Sequence, residues 1–222
     1  AGRLSAEAVI PVTTIGPGGD VSFKFDAQTL TLGGAVEFET RFPAGELMAR
    51  NFAVAVVMAK LAGIDVSKLR GLASGFQVPG RLELVSTVKP HVYVDYAHTP
   101  DGISSAVIEI LSRYQGVTLV FGASGNRDVG KRSEMGMAAA KATRVFLTDQ
   151  HPRDEDPEQI RLAVASGLKA AGKQFQEFSN PEDAIAAAIA STPRDEAVLW
   201  CGPGHLKYRE IAGQKVPFDA RQ

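Results

Sequence analysis

The chain has 222 residues, 45% of them apolar and 22% charged, with a net charge of −1. There is enough apolar material for a sizeable core, and the near-zero charge carries no electrostatic footprint for DNA, RNA or an anionic membrane. No stretch is long and apolar enough to span a bilayer, and the single cysteine, Cys201, excludes an internal disulfide and fits a reducing cytosol. The opening Ala1-Gly2-Arg3-Leu4-Ser5 is no secretory signal and lacks an initiating Met, as expected of a processed or trimmed chain.

In chain order, the first stretch, to about residue 80, opens with strand-like pieces. Val21-Ser22-Phe23-Lys24-Phe25 and Val36-Glu37-Phe38-Glu39 alternate apolar and polar side chains, with turns expected at Gly16-Pro17-Gly18-Gly19 and Gly33-Gly34. This pattern reads as antiparallel sheet. Residues 46–62 are rich in Ala, Val, Leu and Met and predict a buried helix; a second, short helix follows Asp65, a suitable N-cap. From about residue 81 the rhythm changes. Short apolar runs at Val92–Val94, Thr118–Phe121, Val145–Leu147 and Val198–Trp200 alternate with helical patterns over 101–115, 133–143, 157–171 and 181–191. Such alternation predicts βαβ units, hence an α/β domain with a mostly parallel sheet whose ligands sit outside the carboxyl ends of its strands. Cys201, in the run Ala197–Cys201, reads as a buried thiol rather than a nucleophile. Tyr208–Ile211 and Val216–Phe218 read as a closing hairpin.

Four polar motifs fall at those strand ends. In Asp95-Tyr96-Ala97-His98-Thr99-Pro100-Asp101, the carboxylate of Asp95 and the imidazole of His98 can bind a ribose hydroxyl, a base or a phosphate. The same segment also reads as a strand end followed by a helix cap, with Thr99 capping and Pro100 at the first helical position. Next, Gly125 to Lys131 fits the opening of a P-loop, but Arg132 stands where Ser or Thr must hold Mg²⁺, and a cation cannot be a magnesium ligand. What remains is a Gly-rich turn displaying Arg127, Lys131 and Arg132 near a helix N-terminus. It suits an anion such as a carboxylate or phosphate, or is a solvated basic loop. In Asp149–Pro157, two prolines stiffen the chain around His151 and Arg153; Arg153 can grip a carboxylate bidentately, and Asp154-Glu155-Asp156 read as a capped helix start. No recognised metal spacing is present. The glycines of Gly202-Pro203-Gly204-His205 permit close backbone approach to a ligand.

Taken in this order, the segments resemble the carboxyl-terminal half of the Mur ligases, of the type that adds the third residue of the peptidoglycan stem peptide. That family carries D-Y-A-H-T-P-D, G-G-D/N-R-D-x-G-K-R, D-N-P-R-x-E-D-P, G-K-G-H-E and a terminal P-F-D-D-R. Here the matching segments stand at Asp95–Asp101, Gly125–Arg132, Gln150–Pro157, Gly202–Leu206 and Pro217–Arg221, and Val78–Glu83 is similar to the family's V-P-G-R-x-E hinge. The resemblance implies that residues 1–80 are the late part of a central ATP-binding domain and 81–222 a Rossmann-like C-terminal domain. The N-terminal domain, the P-loop and the magnesium ligands would then lie outside this chain, leaving it no catalytic residue and no metal ligand of its own and no activity alone. ATP and magnesium are the implied cofactors, and UDP-N-acetylmuramoyl-dipeptide and a free amino acid the implied partners, in the cytoplasm. ATP would phosphorylate the substrate carboxylate, and the amine of the amino acid would displace the phosphate to form an amide. By the same resemblance Arg81, Asp95 and His98 contact ATP, whereas Arg127, Lys131, His151, Arg153, Gly202 and His205 bind the incoming amino acid.

The sequence departs from the family pattern at several places. Gln150 and His151 replace Asp and Asn, Leu206 replaces Glu, Val129 replaces Lys, and Val54 replaces the second Asn after Asn51. Leu206 removes a partner for a distal ammonium; Asp149 or Asp154, turned inward, would restore one. Arg153 favours a far end bearing a carboxylate, and so meso-diaminopimelate over lysine. The alternatives are another Mur-type or folylpolyglutamate-synthase-like ligase, and a nucleotide- or amino-acid-binding module without catalysis.

Overall fold

A computed structural model describes residues 12–222, so the opening Ala1–Ser5 lies outside the described residues. The chain divides into two compact units between Gln77 and Val78.

In the first unit, strands β1 (Val21–Asp26), β2 (Thr29–Gly34) and β3 (Phe38–Arg41) form an antiparallel sheet in that order. The alternation in β1 is legible in the sequence; β2 is not. Its hairpin turns at Ala27 and Gln28, both with left-handed backbone (φ 45° and 62°), the geometry of a tight two-residue hairpin. Neither residue is the Gly or Asn that advertises such a turn. The Gly33-Gly34 pair expected to be a turn instead ends β2, and the strand expected at Val36–Glu39 starts two residues later. Helix α1 (Glu46–Leu61) follows, and Asp65 caps a 3₁₀ turn (Val66–Leu69) by accepting from the Ser67 amide, before the single turn α2 (Arg70–Ala73). The core of this unit gathers Leu30, Leu32, Phe38 and Val56 around an aromatic cluster. Its ring centroids lie 5.2 Å apart for Phe42–Phe52 and 5.0 Å for Phe52–Phe76.

The second unit is the α/β domain. Its sheet has the order β4-β5-β9-β6-β7-β8, comprising β4 (Glu83–Ser86), β5 (His91–Asp95), β6 (Val117–Phe121), β7 (Arg144–Thr148), β8 (Gln176–Phe178) and β9 (Ala197–Cys201). Only the β4–β5 pairing is antiparallel. Every residue of β6 and β9 is buried, as expected of central strands covered on both faces. Val94, Val120, Phe146, Val198 and Trp200 pack against Ala184 and Ala188 of α6 (Pro181–Ser191) on one face. On the other lie α3 (Pro100–Leu111) and α5 (Pro157–Ala170), with α4 (Lys131–Ala139) between them. Thr99 caps α3, Asp156 caps α5 and Asn180 caps α6, each followed by Pro at the first helical position. The hairpin β10 (Tyr208–Ile211) and β11 (Gln214–Pro217) closes the unit. The two edge strands β4 and β8 have no apolar run in the sequence, because each is short and half exposed.

Candidate functional site

Successive parallel strands deliver their polar motifs to one edge of the sheet, where β5, β6, β7 and β9 end at Asp95, Phe121, Thr148 and Cys201. The loops that follow enclose a cleft of about 390 Å³. Its wall contains His98, Arg127, Lys131, His151, Arg153 and Gly202 together, so six of the nine singled-out residues share one cavity. Arg81, Asp95 and His205 lie outside that wall.

Two of them, Arg81 and His205, nevertheless gather with His98 about the Tyr96 ring, and Asp95 precedes Tyr96 in the chain. The Arg81 guanidinium stands 4.7 Å over the Tyr96 ring, and the rings of His98 and His205 lie 4.8 and 5.7 Å from it. His98 Nδ1 pairs with the Tyr96 carbonyl at 2.8 Å; a carbonyl only accepts, so this nitrogen donates. Asp95 is buried and engaged on both oxygens: Oδ2 accepts from the Leu82 amide at 2.7 Å and Oδ1 from the Ala97 amide at 2.6 Å. Burial pushes its carboxyl up, against the pull of those two amides and of Arg81 and His98. Asp95 therefore holds the Arg81–Leu82 segment in place, with Leu82 in left-handed backbone (φ 44°).

The basic turn divides into outward and inward cations. Arg127 is exposed and Lys131 half-buried, both on the cleft. Arg132, expected to be displayed beside them, is buried instead. It ion-pairs with Glu155 at 2.8 Å and donates to the Ser124 carbonyl at 3.3 Å. Glu155 also accepts from the Asn126 amide, and Asp154 from the Asn126 side chain at 2.9 Å. Two of the three acids expected simply to begin a helix thus fasten the basic turn, while Asp156 does the capping.

The loop after β7 is tied to β10 along its backbone. The Arg153 amide donates to the Glu210 carbonyl at 3.0 Å, the Ala212 amide to the Arg153 carbonyl at 2.7 Å, and the Glu210 amide to His151 Nδ1 at 3.0 Å. His151 is consequently an acceptor at Nδ1; burial and the neighbouring Arg153 charge hold its pKa below the ordinary value. Arg153, at φ 55°, donates from Nε to Glu210 Oε2 at 2.6 Å and from Nη1 to the Gly125 carbonyl at 2.6 Å. Glu210 is a cleft residue that sequence reasoning missed, since nothing local in Tyr208–Ile211 signals a partner on a distant loop. The carboxylates expected to turn inward do not. Asp149 pairs with Arg161 at 2.5 Å, and Asp154 lies in a neighbouring hollow that Arg127, Arg153 and Glu210 also line. Gln150 is buried and donates to the Cys201 carbonyl at 3.1 Å, lying where a side chain on Gly202 (φ 117°) would project. Gly80 and Gly204 touch so closely that a Cβ on Gly80 would overlap the Gly204 backbone.

Among the described residues no group of three His, Cys, Asp or Glu side chains is placed to hold a metal ion. Cys201 is buried and its thiol pushed well up by that burial, so it is no nucleophile.

A mostly parallel α/β sheet with glycine-rich loops and convergent cations at its strand ends has the arrangement that suits an anion in doubly wound domains. Residues 80–204 match the family model "Mur ligase, glutamate ligase domain", and the chain belongs to the Mur ligase family of ATP-dependent amide-forming ligases. It is 35% identical to the UDP-N-acetylmuramyl-tripeptide synthetase of Leifsonia xyli subsp. xyli over 99% of this chain and 47% of that one. It is 37% identical to the UDP-N-acetylmuramoyl-L-alanyl-D-glutamate--2,6-diaminopimelate ligase of Rickettsia felis, over 79% of this chain and 33% of that one. A solved structure of a ligase of that second name superposes with a TM-score of 0.62 at 29% identity, covering 93% of this chain and 45% of the other. A folylpolyglutamate synthase/dihydrofolate synthase from Yersinia pestis superposes with a TM-score of 0.70 at 18% identity over 92% of this chain and 47% of that one, a likeness of fold alone. The chain spans less than half the length of these relatives.

Proposed function

We propose that this chain is part of an ATP-dependent ligase that adds a diamino acid, meso-diaminopimelate, to UDP-N-acetylmuramoyl-L-Ala-D-Glu in the cytoplasm. In that enzyme residues up to about 80 belong to the central domain and the rest form the C-terminal domain. The observation that carries the reading is the cleft: Arg127, Lys131 and Arg153 converge on one cavity at the strand ends, in the loops that match the tripeptide-ligase pattern. Three cations suit a substrate with two carboxylates, and a guanidinium at the far end opposes the bare ammonium of lysine.

ATP supplies the phosphoryl group that activates the muramoyl-peptide carboxylate; the amino acid's amine then attacks the acyl carbon, phosphate leaves and the nitrogen loses a proton. The residues of this chain bind and orient. Arg81 and His98, flanking Tyr96, offer a cation and a ring face suited to the nucleotide, and Asp95 acts through the Arg81 segment it holds. Arg127 and Lys131 take the carboxylate beside the attacking amine, while Arg153, His151 and the Gly202–His205 loop surround the far end.

The test is ligation by the complete enzyme, supplied with ATP, the UDP-muramoyl dipeptide and, in parallel, meso-diaminopimelate, lysine or ornithine, with phosphate release and product mass as readouts. Diaminopimelate is the expected substrate. ATP-dependent amide formation with none of the three overturns the reading. Preference for lysine or ornithine that survives Arg153→Ala removes Arg153 as the selector.

A further inference from the structure

Glu210 is the one carboxylate in the wall of the cleft among the described residues, set among Arg127, Lys131 and Arg153. Three cations alone would accept any dicarboxylate, so this anion needs a reason. Its position is fixed from the backbone outward, since its carbonyl accepts from Arg153 and its amide donates to His151. The side chain meets the Arg153 guanidinium from Nε to Oε2 at 2.6 Å. That contact leaves each partner one polar atom to spare. Arg153 uses Nε and Nη1, and Glu210 uses Oε2; among the described residues Nη2 and Oε1 have no hydrogen-bond partner. Both side chains remain open to solvent, 21% and 31% exposed. The hydrogen bond from Arg153, and then its charge, keep the Glu210 carboxyl below its usual range, so it is ionised at neutral pH.

A guanidinium and a carboxylate side by side, each with a free hydrogen-bonding atom, present the charge pattern complementary to an amino-acid head group: carboxylate to Nη2, ammonium to Oε1. We propose that Glu210 determines specificity by reading the distal ammonium of the incoming diamino acid, with its ion-pair partner Arg153 reading the carboxylate on the same carbon. This rests on the ligase function proposed above. It also explains how an apolar Leu206 is tolerated in the loop facing the same cavity: the anion comes from β10 instead.

The experiment compares meso-diaminopimelate with L-2-aminopimelate, which keeps the attacking amine and the distal carboxylate but lacks the distal amine. Both are ligated by the complete enzyme, and kcat and KM are measured for each. The unmodified enzyme is expected to favour diaminopimelate in kcat/KM by about tenfold or more, the range of one charged hydrogen bond. In Glu210→Gln that preference is expected to collapse to within about threefold, with the loss carried by KM for diaminopimelate. Glu210→Asp, which keeps the charge on a shorter stem, guards against a misfolded glutamine variant and is expected to retain an intermediate preference. An unchanged ratio in both variants, with the two acids losing activity equally, overturns the proposal and leaves Glu210 as a support for Arg153 alone. Failure of the unmodified enzyme to ligate either acid takes the ligase reading down with it, an outcome distinct from an unchanged ratio in a working enzyme.

Discussion

Arg221 donates from Nε to Glu83 Oε2 at 2.9 Å, and the same guanidinium donates from Nη2 to the Gly204 carbonyl at 2.8 Å. Glu83 Oε2 also accepts from the Gly80 amide at 2.6 Å. One side chain therefore fastens the Gly80–Glu83 segment, which carries Arg81, to the Gly202–His205 loop. Arg221→Ala is expected to lower stability by about 1–3 kcal/mol, the scale of charge-assisted hydrogen bonds, and, in the complete enzyme proposed above, to raise KM for both ATP and the amino acid. Denaturant melts and steady-state kinetics measure the two effects; a rise in KM for one substrate only would show that Arg221 does not couple the segments.

Gly202 tests the packing behind the cleft. Gly202→Ala places a methyl where the Gln150 amide lies and forces an alanine to φ 117°. The expected cost exceeds about 2 kcal/mol. Shortening the neighbour in Gly202→Ala/Gln150→Ala removes the overlap but not the backbone strain, so the double variant should recover part of the stability. Thermal unfolding of the three proteins decides this, and full recovery would mean that the backbone conformation costs nothing.

Arg127 and Arg132 share a motif and should behave oppositely. Arg127 is exposed on the cleft, so in the complete enzyme proposed above Arg127→Ala is expected to raise KM for the amino acid by about tenfold or more while leaving the melting temperature within about a degree or two. Arg132 is buried against Glu155, which is about one-third exposed. Arg132→Ala leaves that carboxylate without its partner and is expected to destabilise by about 1–3 kcal/mol. Kinetics and melting on both variants check the division; equal effects on both readouts would refute it.

His151 should make stability depend on pH. Its folded pKa lies below the ordinary 6.5, because burial and the Arg153 and Arg209 charges outweigh the attraction of Glu210. The unfolded chain therefore binds the proton first on acidification, and stability is lost as the pH falls from about 6.5 toward the folded value. Protonation would also put a hydrogen on Nδ1, against the Glu210 amide that donates to it. His151→Asn, which offers a non-titrating acceptor, is expected to flatten the melting temperature between about pH 7 and pH 5.5. The same slope in wild type and variant would assign the dependence to other groups.

What was legible in the sequence follows how local each signal is. Thr99-Pro100 and Asp156-Pro157 announced their helices because capping is settled within four residues. The apolar runs of β5, β6, β7 and β9 announced strands of a parallel sheet, though not which of them are central. The turn at Ala27-Gln28 stayed hidden because residues of no particular turn preference adopt left-handed backbone there. Within the site, the motifs identified the loops but not the direction of each side chain. Arg127 and Arg132 look alike in a string of letters, yet one faces the cleft and the other a carboxylate beneath it. Asp95 stands in a ligand-like motif and spends both oxygens on its neighbours' amides. Glu210 had no local signature at all, because its meaning comes from the loop it pairs with.

That pairing bears on how such a domain can change its ligand. His151–Arg153 is held against β10 as though it were an added strand, with a parallel bridge between Arg153 and Ile211. Two of the three bonds are main chain to main chain, indifferent to which side chains the residues carry. The third, from the Glu210 amide, depends on the imidazole of His151. The charge that residue 153 presents to the cavity is therefore separable from the fold that presents it.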